Sequence, residues 1–187
     1  MDNSFIREYP NALSLNVCSQ LIGFFDETIT NGTIFTNQGS EQNGGGVNRS
    51  DTSLFLHMAN PTTSEIVNDI VGKHWEKYID EFAFLQNHNV TSYAIKFQRT
   101  PPMGGFHAWH WEHNAHHMNR DRLAVWTIYL TSHEDEGETE FLAHGKKVKA
   151  EAGKLCIFPA DYTAVHRGNP VYKKPKYILT GWYHYVD

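Results

Sequence analysis

The stretch Phe106-His107-Ala108-Trp109-His110-Trp111-Glu112 decides how the rest of the chain is read. Its aromatic residues, preceded by a turn at Met103-Gly104-Gly105, predict a strand. Residues two apart on a strand share a face, so His110 and Glu112 project an imidazole and a carboxylate together. A second histidine from a neighbouring strand would complete a set of two histidines and one carboxylate with open positions opposite, the ligand pattern of non-haem Fe(II) sites. His166, in Thr163-Ala164-Val165-His166-Arg167-Gly168, is the candidate. A buried strand over 154–158 and a turn at Pro159-Ala160-Asp161 would deliver it. His107 has Trp109 two residues on, so its register offers no acid.

Composition narrows the function classes. The chain has 187 residues, 40% hydrophobic and 20% charged, which suits one globular domain with a substantial core. A formal charge of −5 and the lack of a basic run argue against a nucleic-acid partner. No apolar run reaches the roughly 18 residues of a membrane span, and no secretory h-region opens the sequence. A cytoplasmic protein with no membrane partner is therefore expected. Cys18 and Cys156 fall in helical and strand patterns respectively and read as buried free thiols. The 12 histidines are the compositional oddity, and five of them (107, 110, 113, 116 and 117) crowd the region just described.

Working outward, the periodicity predicts two helices early and strands later. Val17, Cys18, Leu21, Phe24 and Phe25 recur at helical spacing after a cap at Ser14, with Asn31-Gly32 as the stop. A second helix is expected over 62–82, capped by Thr62 or Thr63. Between them, 33–49 is rich in Gly, Asn and Gln and reads as a loop, with a substrate lid as the sharper alternative. A short strand is expected over 53–57. From Thr91 onward, runs at 91–100, 106–111, 122–131, 138–142, 146–150, 154–158, 162–166 and 176–185 read as strands. Seven or eight short strands suggest a sandwich or jelly roll, so the class is mainly β with supporting helices (α+β). The chain reads as a single domain, 1–187. Residues 1–90 give helical support and a substrate-side loop, and 91–187 the catalytic β core.

Lys176 heads the buried run Lys176-Tyr177-Ile178-Leu179-Thr180-Gly181-Trp182. A lysine there is costly unless an anion meets it. A dicarboxylate co-substrate would supply that anion.

These residues, in this order, resemble the 2-oxoglutarate/Fe(II)-dependent dioxygenases, specifically their prolyl 4-hydroxylase-like branch. The resemblance runs from about Ser92 to Tyr183. It rests on the Gly-Gly turn before the His-x-acid pair and the strand Thr127-Ile128-Tyr129-Leu130. Further on, Gly137-Glu138-Thr139-Glu140-Phe141 resembles a Gly-Glu-Thr-x-Phe motif, and Gly153 to Phe158 a Gly-x-x-x-x-Phe motif. His166-Arg167-Gly168-Asn169-Pro170-Val171 resembles His-x-x-x-Pro-Val, and Lys176 falls where the family has a basic residue.

The resemblance implies a double-stranded β-helix (a cupin-like jelly roll) buttressed by the two N-terminal helices. It implies Fe(II) held by His110, Glu112 and His166, and 2-oxoglutarate chelating that metal. Lys176 would hold the distal carboxylate, with Tyr129 donating its hydroxyl and Thr139 lining the pocket wall. The implied activity is hydroxylation of a C–H bond, foremost of a prolyl residue in a peptide or protein, with release of succinate and CO2. Ascorbate would serve as reductant. Glu112 departs from the family's usual aspartate by one methylene.

Alternatives stay open. A free amino acid or other small molecule could be the substrate, because loops diverge on shared folds. A cupin-like metal protein that does not turn over 2-oxoglutarate would leave Lys176 without an anion, and a binding module would make no succinate. Arg99, His107, His113 and Trp182 are candidates for contact with substrate or with a metal ligand. For Arg99 the plainer reading is an exposed strand arginine, for His113 a solvated loop, and for Trp182 the core.

Overall fold

The computed structural model describes residues 4–31, 37–39, 42–43, 46–47 and 49–186. The chain opens with strand β1 (Arg7–Tyr9) and helix α1 (Leu15–Asn31). Ser14 caps α1 as the sequence predicts, its Oγ accepting from Val17 N at 3.3 Å. Cys18, Leu21, Phe25 and Thr28 form the buried stripe. Next come β2 (Asn37–Gly39), β3 (Gln42–Asn43), β4 (Gly46–Val47) and β5 (Arg49–Phe55). Short strands thus appear inside the predicted loop, and the lid reading of 33–49 falls largely outside the described residues. A one-turn helix α2 (Leu56–Ala59) leads into α3 (Pro61–Glu81). The cap of α3 is Asn60, not Thr62 or Thr63; its side chain accepts from Thr63 N, and Pro61 occupies the first turn where no N–H is needed.

The second half is nearly all strand. β6 (Val90–Thr91) and β7 (Lys96–Thr100) divide the run expected to be continuous. Then follow β8 (Gly105–His110), β9 (Arg122–Tyr129), β10 (Thr139–Phe141), β11 (Lys146–Val148) and β12 (Leu155–Pro159). The expected strand over 162–166 is instead a 3-10 turn over Tyr162–Ala164, capped by Asp161, followed by β13 (His166–Gly168). β14 (Lys176–Tyr185) ends the set.

The strands form an antiparallel jelly roll in the order β1-β12-β9-β14-β7-β5-β8-β13-β10-β11. Its two ends meet where Lys146 Nζ donates to the carbonyl of Ile6 at 3.2 Å. β5 comes from the first half of the chain yet sits between β7 and β8. The division expected at residue 90 therefore does not separate helical support from sheet.

Alternation on the central strands sets the two cores. Ala124, Trp126 and Ile128 of β9 and Tyr177, Leu179 and Tyr183 of β14 face the helices and pack with Phe25, Val71 and Trp75. Val125, Tyr129 and Trp182 face the barrel interior with Phe141 and Phe158. Gly181 is needed opposite Trp126: a Cβ there would come within 2.3 Å of the indole. Both cysteines are buried and free, as expected. Among the described residues, no helix is long and apolar enough to cross a membrane.

Candidate metal centre

His110 ends β8 and His166 begins β13, and the two are direct cross-strand partners. Their rings lie 4.4 Å apart. Each Nδ1 meets the backbone carbonyl two residues back, Ala108 O at 2.9 Å and Ala164 O at 3.0 Å. A carbonyl can only accept, so Nδ1 carries the proton and Nε2 keeps its lone pair for a ligand. Phe106 stacks on His110 at 3.8 Å and Phe158 meets His166 edge-on at 4.8 Å, which fixes both rings. Burial, with His110 beside it, pushes His166 down to about 4, so its imidazole is neutral at pH 7.

Glu112 follows β8. Its backbone N–H and that of His113 both donate to Ala160 O, at 2.9 and 2.8 Å, tying this segment to the turn ahead of His166. One carboxylate oxygen, Oε2, accepts from Arg122 Nη1 at 2.7 Å and from Trp182 Nε1 at 3.2 Å. The Arg122 guanidinium lies 3.9 Å over the Trp182 ring. The other oxygen, Oε1, stands 3.6 Å from His110 Nε2. His110, Glu112 and His166 each offer a ligand atom, all within 4.8 Å of one another. Two imidazoles that turn Nε2 toward one another's strand end, beside one anchored carboxylate, fit a divalent transition metal with further positions open.

These residues line one side of a cavity of about 90 Å³. At the far end stands Lys176, 5% exposed, its Nζ donating to Gly137 O at 2.9 Å. Burial pulls its ammonium down to about 8, with Glu138 partly offsetting that. Thr139 lines the same end and bonds the Tyr129 hydroxyl at 2.7 Å. Burial raises the Tyr129 phenol well above its ordinary value, so it stays protonated.

The structure brings together His110, Glu112, His166, Lys176, Tyr129 and Thr139. Trp182 also belongs, because it touches Glu112. Arg99 does not: alternation on β7 turns Gln98 and Thr100 to the cavity, and Arg99 Nε donates to Tyr177 OH on the helix side. His107 lies on the strand face opposite His110, its ring covering Gly105. His113 places Nδ1 3.1 Å from Arg122 O, so it braces the strand behind the site and does not line the cavity. Sequence reasoning missed Arg122, Asp51 and Gln98. The last two share a hydrogen bond of 2.6 Å on the cavity wall.

The model of the 2OG-Fe(II) oxygenase superfamily matches residues 95–184, which span the three candidate ligands and Lys176. The chain belongs to that superfamily. It is a 2-oxoglutarate-dependent dioxygenase, and the family works with Fe(II) and 2-oxoglutarate. No curated protein matches the sequence. Solved structures share the fold of this oxygenase. A viral collagen prolyl hydroxylase from Paramecium bursaria Chlorella virus-1, in complex with 2OG, is 18% identical over 99% of this chain and 98% of its own, with a TM-score of 0.67. A Pseudomonas putida prolyl-4-hydroxylase is 17% identical over 97% and 93%, with a TM-score of 0.70. A Trichoplax adhaerens prolyl hydroxylase, in complex with a hypoxia inducible factor peptide fragment, is 18% identical over 98% and 84%, with a TM-score of 0.69.

Proposed function

We propose that this oxygenase hydroxylates a prolyl residue of a peptide or protein, with residues 1–187 acting as one domain. The observation that carries the reading is the single cavity lined by His110, Glu112 and His166 at one end and by buried Lys176 at the other. That spacing of a metal-ligand set and a cation suits a co-substrate with a chelating head and a distal carboxylate. The prolyl preference draws support from fold neighbours that are themselves prolyl hydroxylases, one of them bound to a peptide.

His110 and His166 would hold Fe(II) through Nε2 and Glu112 through Oε1. Bound Fe(II) with 2-oxoglutarate and O2 supplies the oxidative chemistry, yielding succinate, CO2 and a hydroxylated carbon. The protein's part is positioning. Carbonyls of Ala108 and Ala164 hold the imidazole protons on Nδ1. Arg122 and Trp182 draw Glu112 Oε2 aside and leave Oε1 toward His110. Lys176 would meet the distal carboxylate as a point charge, with Thr139, bonded to the Tyr129 hydroxyl, lining the same cavity. Phe106, Val125, Phe158 and Ile178 keep the walls apolar around the reacting centre.

The test is direct. The protein is reconstituted with Fe(II) without oxygen, 2-oxoglutarate is added, and the weak metal-to-ligand absorption band is recorded. Oxygen and ascorbate are then supplied with proline-containing peptides or with free proline. Succinate formation and gain of one oxygen atom on the peptide are expected. Absence of the band would overturn the site; oxygen gained on free proline alone would overturn the peptide reading.

A further inference from the structure

The turn 133–137 looks like a solvated acidic loop, and Glu134 and Asp135 are indeed exposed. His133 and Glu136 are not; they are 5% and 6% exposed. The side chain that meets the Glu136 carboxylate is the imidazole of His133. Its carboxylate accepts from the backbone N–H of Tyr172 at 2.9 Å and of Lys173 at 3.4 Å, and from His133 Nδ1 at 3.2 Å. Burial opposes ionisation of Glu136, but these donors hold it below the ordinary carboxylate value. Burial keeps the imidazole of His133 below its ordinary value, against the pull of Glu136.

A neutral His133 fixes the direction of every bond in the group. Nδ1–H donates to Glu136, so Nε2 must accept. Thr131 Oγ1, 3.1 Å from Nε2, donates to it. The same oxygen accepts the backbone N–H of Tyr177 at 3.1 Å. The relay therefore runs from Tyr177 N through Thr131 and His133 to Glu136, and on to the backbone of Tyr172 and Lys173.

Both ends of this relay adjoin the groups that hold Lys176. Tyr177 is the next residue after Lys176. Gly137, whose carbonyl accepts the Lys176 ammonium, is the next residue after Glu136. Gly137 has φ +71°, and a Cβ there would meet Val171 at 2.6 Å, so its carbonyl is set by a backbone that only glycine adopts freely. Gly137 N–H donates to Pro170 O at 2.9 Å, which locks the turn against the segment that leads to Lys176.

We propose that Thr131, His133 and Glu136 are positioning residues for Lys176, fixing the ammonium and its carbonyl partner where the distal carboxylate of 2-oxoglutarate is received. The inference rests on the reading of Lys176 given above. A buried ammonium that donates to the Gly137 carbonyl needs its backbone and that acceptor held together, or it turns from the incoming carboxylate. The relay supplies this from behind, without touching co-substrate.

The experiment uses the full chain loaded with Mn(II) and follows 2-oxoglutarate and Mn(II) binding by calorimetry. Thr131→Val removes the hydroxyl while keeping the shape; Thr131→Ser restores it. Lys176→Ala serves as the reference. Thr131→Val is expected to weaken 2-oxoglutarate binding about tenfold, since a loosened support shell misplaces the group it orients. Thr131→Ser should recover most of that, and Mn(II) binding should change less than about twofold in both. In turnover, KM for 2-oxoglutarate should rise with little change in kcat. If Thr131→Val left 2-oxoglutarate binding intact while Lys176→Ala weakened it, the relay would be mere loop anchoring and the proposal would fail alone. Loss of Mn(II) binding in Thr131→Val would point to general disruption and overturn it likewise. If Lys176→Ala itself had no effect, the reading of Lys176 would fall and the proposal with it.

Discussion

The two ends of the cavity are built in different ways. At the metal end the imidazoles are oriented by main-chain carbonyls, Ala108 and Ala164, each two residues from the histidine it serves. Side-chain donors hold Glu112, through Arg122 and Trp182. At the lysine end the ammonium meets one main-chain carbonyl, and a side-chain relay holds that carbonyl's turn. Local main-chain bonds make the histidine geometry a property of two short segments, strand β8 and the turn entering β13. The lysine geometry depends on three separate segments, around residues 131, 136 and 172, staying together. The metal end should therefore resist outlying substitutions better than the lysine end.

The largest effect should come from cutting the first of these. His166→Ala is expected to weaken Mn(II) or Fe(II) binding more than about 100-fold, beyond the range usual for partners behind a ligand. Calorimetry under anaerobic conditions reads this, and near-normal affinity would remove His166 from the ligand set. Next comes Lys176→Ala, which removes a charge-assisted bond of about 1.5–3 kcal/mol and should raise the 2-oxoglutarate Kd roughly 10–100-fold with metal affinity preserved. If metal and co-substrate binding fell together, the two ends would not be separable.

A pH series sharpens the same contrast. Lys176 has its ammonium lowered to about 8, so the cation is present below that value and lost above it. Binding of 2-oxoglutarate should weaken as pH rises through and beyond about 8. The bound carboxylate will move the break upward in the complex. Lys176→Arg, which stays charged, should flatten the profile even if its affinity is lower. An identical profile in the two proteins would remove Lys176 as the titrating group. The smallest effect expected is from Trp182→Phe. It deletes one of the two bonds to Glu112 Oε2 while Arg122 remains, so metal affinity should fall only severalfold, corresponding to about 1 kcal/mol. A loss as large as that of His166→Ala would mean that Trp182, not Arg122, sets the carboxylate.

Much of the metal end was legible because a strand has period two. His110 and Glu112 could be paired from spacing, and His166 from the strand and turn that deliver it. Lys176 was legible because an ammonium heading an apolar strand demands an explanation. Arg99 misled for a reason specific to this fold. The outer face of β7 is covered by helices and the inner face looks into a polar cavity, so Gln98 and Thr100 turn inward. The usual rule of apolar residues inside gives the wrong phase. Arg122 looked like the polar start of a buried strand; its bond to Glu112 spans a loop whose path local sequence does not specify. His133 and Glu136 sat in a run of acids whose burial only the tertiary fold creates. Glu112, the least typical residue of the set, has its longer side chain anchored by two donors that no spacing argument could have found.

The placement of β5 bears on how the molecule is made. Its partners on either side, β7 and β8, are synthesised later, and β1 waits for β12. Such sequence-distant pairings are closed at high entropic cost and form slowly. While they wait, strand edges stand unpaired, with the attendant risk of association between chains. A fragment starting at Val90 would expose a gap between β7 and β8 and an open flank on β12, and should associate rather than fold when expressed alone. Supplying residues 1–89 in trans should rescue it; a monomeric, 2-oxoglutarate-binding fragment without them would refute this. Biogenesis of the cavity is then committed only once both halves of the chain have left the ribosome.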